Sequence, residues 1–502
     1  DPLQRQKPNP EADISKAARE PDIGAPKYIK IGQMPDNKSC VMLNRSQEAA
    51  TRLVLERRRR FSLIQGPPGT GKTTTAVAII CGWLRTQRGP VLASAFSNRG
   101  TDNMAEVLHA LGIRVLRMGL CSQDKPYSLE TRLRECGAQR GEAGLRKVMQ
   151  VTDVVCATCI GCGMGPLDKI TFPFVVIDEA AQVIEPAVTL PLGKGAVQAV
   201  MVGDQCQLPA TVLSQEAQKG GLDISMFDRL LSMGMEVQLL NEQYRMHPQI
   251  ASFPSWRFYR GELKSAVHES ARKLPPGLVL KTNVVLLHVE AREQSKGASK
   301  RNPDEAACAA WLVETIMRLL PASLKGDEIG VITPYAAQVS DIRQALPHQA
   351  RSQVQVSSVD AFQGCQKDVI IVSLVRANPR GDVGFVSDWR RLNVALTRAR
   401  KLCIVLAHLP TWLSAESSLI RDWIGFYPAE AAEVRSFQRG FGGCIAGSSL
   451  GPLPVELEHQ VSSLRTVFAQ NRPAAAKLPR VSVISKGCKT DAAAAKRRAL
   501  EV

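Results

Sequence analysis

The sequence predicts two α/β domains in tandem, each built on a parallel sheet with helices on both faces. Short β-branched segments alternate with helical segments from Phe61 onward, and the same alternation repeats after Glu305. This alternation is typical of parallel sheets, in which helices connect neighbouring strands. The chain has 502 residues, of which 44% are hydrophobic. Because one hydrophobic core stops growing at about 250 to 300 residues, we expect two cores.

Each series contains segments that can be assigned in order. The first series has a helix from Gly71, a helix near Asp102 and the strands "FSLIQG", "PVLASA", "VVCAT", "FVVID" and "AVMVGD". The second series has a helix from Glu305 to Leu320, a helix near Arg391 and the strands "EIGVIT", "VQVSSV", "DVIIVSLV" and "LCIVLA".

Changes in composition set the expected domain boundaries. We predict a first domain at 41–242, with a short insertion at about 120–150, and a second domain at 243–425. Residues 1–40 are rich in Pro, Lys and Asp, which indicates a linker or a truncated N-terminal region. Residues 426–502 are rich in Gly, Ser, Ala and Pro and are predicted to be mostly disordered.

The charge balance points to an anionic partner. The formal net charge is +17, which favours binding to a nucleic acid or to a membrane surface. No segment approaches the roughly 18 to 20 apolar residues of a membrane span, and the N-terminus lacks the apolar segment of a secretory signal. The thirteen cysteines lie in apolar segments such as "KLCIVLA", which is typical of reduced thiols. We therefore expect a soluble intracellular protein with no membrane partner.

A glycine-rich segment, "GPPGTGKT", joins the first predicted strand to the first predicted helix. Glycines at this spacing let backbone N–H groups turn inward around phosphates. Lys72 supplies a charge to the outer phosphates, and Thr73 offers a hydroxyl to a magnesium ion. A strand before the segment and a helix after it favour this interpretation over an ordinary turn. The predicted nucleotide-binding residues here are Gly66, Pro67, Pro68, Gly69, Thr70, Gly71, Lys72, Thr73 and Thr74.

Two further strands end in polar residues. "VVIDEAAQ" places Asp178 and Glu179 at the carboxyl end of a buried strand, where parallel sheets bind their ligands. Asp178 is suited to hold magnesium through water, and Glu179 to accept a proton from the attacking water. In "GDQCQLPA", Gln207 is placed to sense the terminal phosphate of the nucleotide, although by itself this segment could also be a simple turn.

The segment "NEQYRMHPQ" frames Arg245 with polar and aromatic residues. On the residues alone, Arg245 is either a solvated surface charge or a group that reaches a bound phosphate.

The four segments, in this order, resemble the superfamily 1B helicases of the regulator-of-nonsense-transcripts type, which are related to the immunoglobulin mu-binding helicase and senataxin. The resemblance continues through "VITPYAAQ", "SSVDAFQGCQKDVIIVSLVRAN" and "RRLNVALTRAR" and covers roughly Leu43 to Ala407. It implies two RecA-like domains, ATP with Mg²⁺ in the cleft between them, and a single nucleic-acid strand that runs across both.

The resemblance also assigns roles to individual residues. Arg245 and Arg398 correspond to arginines that the second domain presents to the γ-phosphate. Gln47 would read the adenine edge, and Tyr244 would pack against the nucleotide. The residues implied in backbone contacts with the strand are Ser97, Asn98, Thr158, Thr333, Pro334 and Tyr335. Contacts of this kind give affinity without sequence choice.

The chain departs from the family pattern at two places. Gln366 stands where the family usually has a glutamate that contacts the nucleotide sugar, so the hydrogen-bonding capacity stays and the charge is lost. Phe96 replaces the usual proline, and Gly100 and Thr101 replace small apolar residues. The first change concerns the coupling of nucleotide binding to hydrolysis. The others concern the contacts with the nucleic-acid strand.

Two other segments have simpler interpretations. "CATCIGC" has a spacing that could hold a metal, but no second cysteine pair with zinc-finger spacing follows it. "ERRRR" is typical of a helix C-terminus, where cations offset the helix dipole.

Three functions compete at this point. The first is an ATP-dependent, 5′-to-3′ helicase or translocase that unwinds duplexes or remodels RNA–protein complexes. The second is an ATP-gated clamp or scaffold with weak or no hydrolysis, and the third is a small-molecule kinase, which leaves the second α/β series unexplained. By resemblance we favour RNA over DNA, the cytoplasm over the nucleus, and RNA-decay or translation-termination factors as partners.

Overall fold

A computed structural model describes residues 42–470 except 57–59, 87–89, 122, 275–279, 320–325, 385–387, 416–418 and 441–447. The predicted N-terminal linker, residues 1–40, lies outside the described residues. Two separate mostly parallel sheets form the centre of the fold, as the sequence predicts. Among the described helices, none is long and apolar enough to cross a bilayer.

The first sheet has seven strands within the described part of the chain, in the order β3-β4-β2-β5-β6-β1-β7. All of its pairings are parallel. The strands are β1 Phe61–Gln65, β2 Val91–Ala95, β3 Val115–Arg117, β4 Val154–Thr158, β5 Phe174–Asp178, β6 Gln198–Gly203 and β7 Val237–Leu239. The helices are α1 Arg45–Leu55, α2 Lys72–Thr86, α3 Asn98–Ala110, α4 Leu129–Glu135, α5 Glu142–Gln150, α6 Cys159–Cys162, α7 Glu185–Leu192, α8 Gln215–Lys219 and α9 Met226–Ser232. The segment predicted as an insertion contains α4 and α5.

A small two-stranded sheet and helix α10 follow the first sheet. Their bounds are β8 Glu242–Gln243, α10 Pro248–Phe258 and β9 Lys264–Ser265. Met246, Ile250 and Phe253 pack into the core of the second sheet. Leu240 packs into the core of the first. Between Leu240 and Met246 the chain therefore passes to the core of the second sheet, into which Cys206 and Leu208 of an earlier loop also pack.

The second sheet also has seven strands in the part of the chain that is described, in the order β14-β13-β15-β16-β10-β17-β18. The pairings are parallel except for that of β17 with β18. The strands are β10 Val284–Val289, β13 Ile329–Thr333, β14 Gln355–Ser358, β15 Lys367–Ser373, β16 Ala399–Ala407, β17 Glu433–Gln438 and β18 Ser449–Gly451; a separate hairpin consists of β11 Gln294–Lys296 and β12 Ser299–Arg301. The helices are α11 Pro303–Leu319, α12 Ala336–Ala345, α13 His348–Gln353, α14 Trp389–Leu396, α15 Leu409–Ser414, α16 Leu419–Phe426 and α17 Val455–Gln470.

Alternating side chains of each sheet supply two hydrophobic layers, one under the helices of each face. In β2, Val91 and Ala93 face one layer and Leu92 faces the other. In β15, Ile370 and Ile371 likewise belong to opposite layers. Strands buried on both faces have the nearly continuous apolar sequences on which the prediction of parallel sheets depends.

The predicted disorder of residues 426–502 is wrong for part of that segment. β17 pairs with β10, and the last described helix, α17, packs on α16. Phe468 of α17 contacts Trp256 and Phe426, with ring centroids 5.3 and 6.5 Å apart. Burial of these rings compensates for the entropy lost when the segment is ordered. Residues 471–502 lie outside the described part of the chain.

Candidate active site

The predicted phosphate loop lies between β1 and α2, at the carboxyl edge of the first sheet. Gly69 and Gly71 have φ angles of 76° and 78°, a region that favours glycine. A Cβ atom added at Gly69 would also lie 2.6 Å from Cβ of Arg245. The loop therefore requires glycine both for its backbone conformation and for the close approach of the Arg245 segment.

The carboxylates predicted from "VVIDEAAQ" face this loop. Thr73 Oγ1 donates to Asp178 Oδ2 at 2.9 Å, and Lys72 Nζ lies 3.6 Å from Glu179 Oε1. Lys72 Nζ also donates to the Gly66 carbonyl at 3.0 Å. The four side chains thus converge beside the first turn of α2, and both partners of the Thr73–Asp178 bond are hard oxygen ligands of the kind that Mg²⁺ prefers.

Burial controls the electrostatics of the Asp178 carboxyl group. Burial and the neighbouring Glu179 raise the pKa of Asp178 to about 6, while Lys72 and the Thr73 hydroxyl oppose that rise. Glu179 has a φ angle of 52°, in the left-handed region, although it is not a glycine. Strained backbone of this kind is concentrated at functional sites, because the surrounding structure must stabilise it.

Arg245 reaches the nucleotide loop from the second domain. The backbone N–H of Tyr244 donates to the Gly69 carbonyl at 2.9 Å. Arg245 Nη1 donates to the Thr397 carbonyl at 3.2 Å. Burial and the neighbouring Arg398 lower the pKa of Arg245 to about 9, which leaves it charged at neutral pH. Arg245 is therefore half-buried, and its guanidinium is held by the Thr397 carbonyl.

Arg398 and Gln207 meet across the cleft. Arg398 Nη2 donates to Gln207 Oε1 at 3.1 Å, and both side chains are almost fully buried. Burial lowers the pKa of Arg398.

Gln47 and Tyr244 lie at the edge of the same loop. Gln47 Nε2 donates to the Thr70 carbonyl at 2.9 Å, and its Oε1 accepts from the Asn44 backbone at 3.0 Å. Both ends of the Gln47 amide are therefore engaged by the protein. The Tyr244 ring is 45% exposed, and its hydroxyl accepts from Asn44 Nδ2 at 3.0 Å.

Of the residues predicted to contact a nucleic-acid strand, all but one are at least partly accessible. Ser97 lies just after β2, and Thr158 is the last residue of the neighbouring strand β4. Their hydroxyls accept from the Gly100 and Gly161 N–H groups, both at 3.1 Å. Asn98 is exposed, while Pro334 and Tyr335 are half-buried. Thr333 has no accessible surface, and its hydroxyl has no hydrogen-bond partner among the described residues. A hydroxyl contact from Thr333 to a strand would therefore need the loop to move.

Comparison with known proteins fits this arrangement. Two family models, both described as an AAA domain, match residues 42–135 with 121–215 and residues 222–409. The regulator of nonsense transcripts 1 homolog of Drosophila melanogaster is 36% identical over 445 residues, which are 80% of this chain and 37% of that protein. A Schizosaccharomyces pombe protein named ATP-dependent helicase upf1 is 35% identical over 416 residues, which are 73% of this chain and 44% of that protein. The chain belongs to the regulator-of-nonsense-transcripts helicase family.

This chain spans less than half the length of either family relative. Among solved structures, an arterivirus nonstructural protein 10 helicase is 14% identical with a TM-score of 0.39, and the match covers 72% of this chain and 62% of that one.

Three buried residues at the site of this family member were not predicted from the sequence. Asp204, Tyr259 and Asn393 form hydrogen bonds with one another between the two domains. Asp204 stands in the same segment as Gln207 and Asn393 in the same segment as Arg398, so two of the three were adjacent to recognised motifs. Tyr259 follows α10, and no sequence signal marks it.

Proposed function

We propose that this chain is an ATP-dependent helicase or translocase that moves 5′ to 3′ along single-stranded nucleic acid. The observation that carries the proposal is the contact between the two domains at the phosphate loop, where Arg245 lies against Gly69. A cation from the second domain at this point can neutralise charge on a phosphate bound by the first domain. Hydrolysis is thereby coupled to the relative position of the two domains.

Each polar residue has a part in the proposed reaction. Backbone N–H groups of the loop and the Lys72 ammonium bind the β- and γ-phosphates. Thr73 and Asp178 hold Mg²⁺, which offsets the charge of the phosphates. Glu179 accepts a proton from the attacking water, and Arg245 and Arg398 stabilise the charge that develops on the transferred phosphoryl group.

Strand binding alternates with this reaction in the proposed cycle. Ser97, Asn98 and Thr158 lie on the first domain, and Pro334 and Tyr335 lie on the second. Closure of the cleft around ATP brings the two sets together, and release of phosphate lets them separate, so that the strand advances. Contacts to the sugar-phosphate backbone make this movement independent of base sequence.

Nucleic-acid-stimulated ATP hydrolysis tests the proposal. The purified chain is assayed alone and with single-stranded RNA or DNA of one sequence at two salt concentrations, with Lys72→Ala as the control. We expect the nucleic acid to stimulate hydrolysis, and the stimulation to weaken as salt rises. The logarithm of the binding constant should fall with the logarithm of the salt concentration with a slope of about −0.7 per phosphate contact. Tight binding with negligible hydrolysis would contradict the proposal and favour the clamp.

Duplexes with a single-stranded extension at one end test the direction of movement. A duplex with a 5′ extension should be unwound in an ATP-dependent manner, and a duplex with a 3′ extension should not. Equal unwinding of both substrates would contradict the proposed direction.

We further propose RNA as the preferred strand, the cytoplasm as the compartment, and RNA-decay or translation-termination factors as partners. The relatives' name, regulator of nonsense transcripts, supports this extension. Stronger stimulation by RNA than by DNA of the same sequence is expected. The reverse order would exclude RNA as the preferred strand.

A further inference from the structure

A chain of buried hydrogen bonds crosses from the loop after β6 in the first domain to α14 in the second. Five polar side chains form it, and none of them is more than 3% exposed. These side chains are Asp204, Gln207, Tyr259, Asn393 and Arg398. Burial of so many polar groups is tolerated only where nearly every donor and acceptor finds a partner.

Asp204 determines the orientation of the Gln207 amide. Gln207 Nε2 donates to Asp204 Oδ2 at 2.7 Å, so that Gln207 Oε1 points at Arg398 Nη2, 3.1 Å away. A flipped amide would place its oxygen against the carboxylate and its NH₂ group against the guanidinium. Because both contacts would then be repulsive, Asp204 requires Gln207 to present its carbonyl to Arg398.

Tyr259 is bound to the same carboxylate oxygen. Its hydroxyl donates to Asp204 Oδ2 at 2.8 Å and accepts from Asn393 Nδ2 at 3.0 Å. Burial, together with the neighbouring Asp204, raises the pKa of Tyr259 well above its ordinary value, which keeps the hydroxyl a donor. Asn393 Nδ2 also donates to the Cys206 carbonyl at 2.6 Å. Helix α14 is thus attached to the first-domain loop through Asn393, and again through Arg398 just beyond its end.

The loop that carries Asp204 connects both domains to the nucleotide site. Cys206 and Leu208 pack into the hydrophobic core of the second domain. On its other side, Asp204 Oδ1 accepts from Gln65 Nε2 at 3.4 Å, and Gln65 is the last residue of β1 before the phosphate loop. The Asp204 loop therefore connects α14 to the end of the strand that precedes the phosphate loop.

We propose that Tyr259 and Asn393 are positioning residues for ATP hydrolysis, which act through Asp204 to fix Gln207 and to hold Arg398 at the nucleotide cleft. The inference rests on the proposed ATPase function and adds two residues to it. The hydrogen bonds of both side chains go to the Asp204 loop and to each other. Their loss should therefore slow turnover and leave ground-state nucleotide binding unchanged.

The variant Tyr259→Phe tests this role, because it removes one hydroxyl and keeps the buried ring. We expect turnover to fall about tenfold, since a hydrogen bond to a charged group is lost, with the dissociation constant for ADP within about twofold of wild type. Tyr427→Phe is the matched control. Tyr427 is also 3% exposed, and its hydroxyl donates to the Gln249 carbonyl at 2.7 Å within the second domain.

Binding of ADP with Mg²⁺ and aluminium fluoride, which mimics the transferred phosphoryl group, measures the same role without turnover. Wild type and Tyr427→Phe should bind this complex more tightly than ADP alone. Tyr259→Phe should lose about tenfold of that preference, and adding Asn393→Leu should cause little further loss, because the two residues act as one unit.

The outcomes separate this inference from the proposed function. A wild-type preference that survives intact in Tyr259→Phe, or an equal loss in Tyr427→Phe, would overturn the positioning role and leave the proposed function standing. A wild-type chain with no preference for the aluminium fluoride complex would overturn the proposed function and the inference with it.

Discussion

Arg245 Nε donates to Gln366 Oε1 at 2.9 Å, a bond that joins residues 121 positions apart in the chain. A second bond, from Arg245 Nη1 to the Thr397 carbonyl, fixes the other side of the guanidinium. The glutamate expected at position 366 is replaced by an amide that still supplies an acceptor. Gln366 therefore supplies Arg245 with an uncharged acceptor.

The Arg245–Gln366 bond leads to a prediction about turnover. Gln366→Ala removes one of the two anchors of Arg245, so the rate of ATP hydrolysis should fall about tenfold. Gln366→Glu keeps an acceptor and should stay within a few-fold of wild type. Steady-state hydrolysis at saturating ATP measures both variants. If Gln366→Ala hydrolyses ATP as fast as Gln366→Glu does, the bond has no part in turnover.

Substitutions of Glu179 and Lys72 should impair ATP hydrolysis in different ways. Glu179→Gln removes the proposed proton acceptor and keeps the side-chain volume, so hydrolysis should fall at least about 10²-fold while ATP still binds. Lys72→Ala removes a charge that contacts the phosphates and should weaken ATP binding as well. Equilibrium binding of a fluorescent ATP analogue, compared with hydrolysis rates, separates the two effects. Rapid hydrolysis by either variant would exclude its assigned role.

Tyr335 should contribute to strand affinity. Its ring is half-buried, and its hydroxyl lies 3.4 Å from Arg376 Nη1. Besides its proposed contact with the sugar-phosphate backbone, this ring can stack on a base, and such stacking contributes about 1 to 3 kcal/mol. Tyr335→Ala should therefore weaken binding of single-stranded nucleic acid by about that amount. Tyr335→Phe keeps the ring and should bind like wild type. Fluorescence anisotropy measures both, and equal affinities for all three proteins would remove Tyr335 from the binding surface.

Glu305 should make stability depend on pH. Burial raises its pKa from 4.5 to about 8, although the Ser373 hydroxyl and the Val375 N–H oppose that rise. A raised pKa means that the folded state holds the proton more tightly than the unfolded state does. The resulting stabilisation is complete below about pH 4.5 and is lost as pH rises through about 8.

Urea unfolding at pH 6 and pH 9 measures this effect. The free energy of unfolding of wild type should fall between the two pH values by more than that of Glu305→Gln, which has no proton to lose. Parallel pH profiles for the two proteins would show that Glu305 does not titrate in this range.

The packing of α17 leads to a prediction about stability. Phe468 contacts Trp256 and Phe426, so Phe468→Ala should lower the free energy of unfolding by about 2 kcal/mol, less than for a fully buried ring. Val467→Ala is the matched control, because Val467 precedes Phe468 in the same helix and is 51% exposed. An equal effect of the two substitutions would mean that α17 adds little to the core.

Much of the fold follows from local sequence. The nine strands predicted from apolar segments are all present, because strands buried on both faces need such sequences. β17 was missed because it is only half-buried and alternates charged with other residues. β10 is as apolar as its neighbours. It was missed because the segments before it do not continue the regular alternation of strands and helices. The apolar period of α17 was hidden by the composition of the longer segment around it.

The contacts between the domains could not be predicted in the same way. The motifs marked Gln207 and Arg398 separately, yet the two residues are 191 positions apart, and only the tertiary fold shows that they touch. Tyr259 is positioned by the end of α10 and by the first-domain loop, and neither effect leaves a local pattern. Sequence motifs identify side chains that contact a ligand more readily than they identify side chains that contact each other.

The position of β17 in the second sheet has a practical consequence. The matched family region ends at residue 409, whereas β17 is hydrogen-bonded along most of β10, whose sequence is "VVLLHV". A protein fragment cut at that boundary would leave β10 as a bare, apolar edge strand with unpaired backbone groups. Such edges pair with other chains. The fragment should therefore aggregate even though it contains every residue assigned to ATP, and a soluble catalytic fragment should include residues through 470.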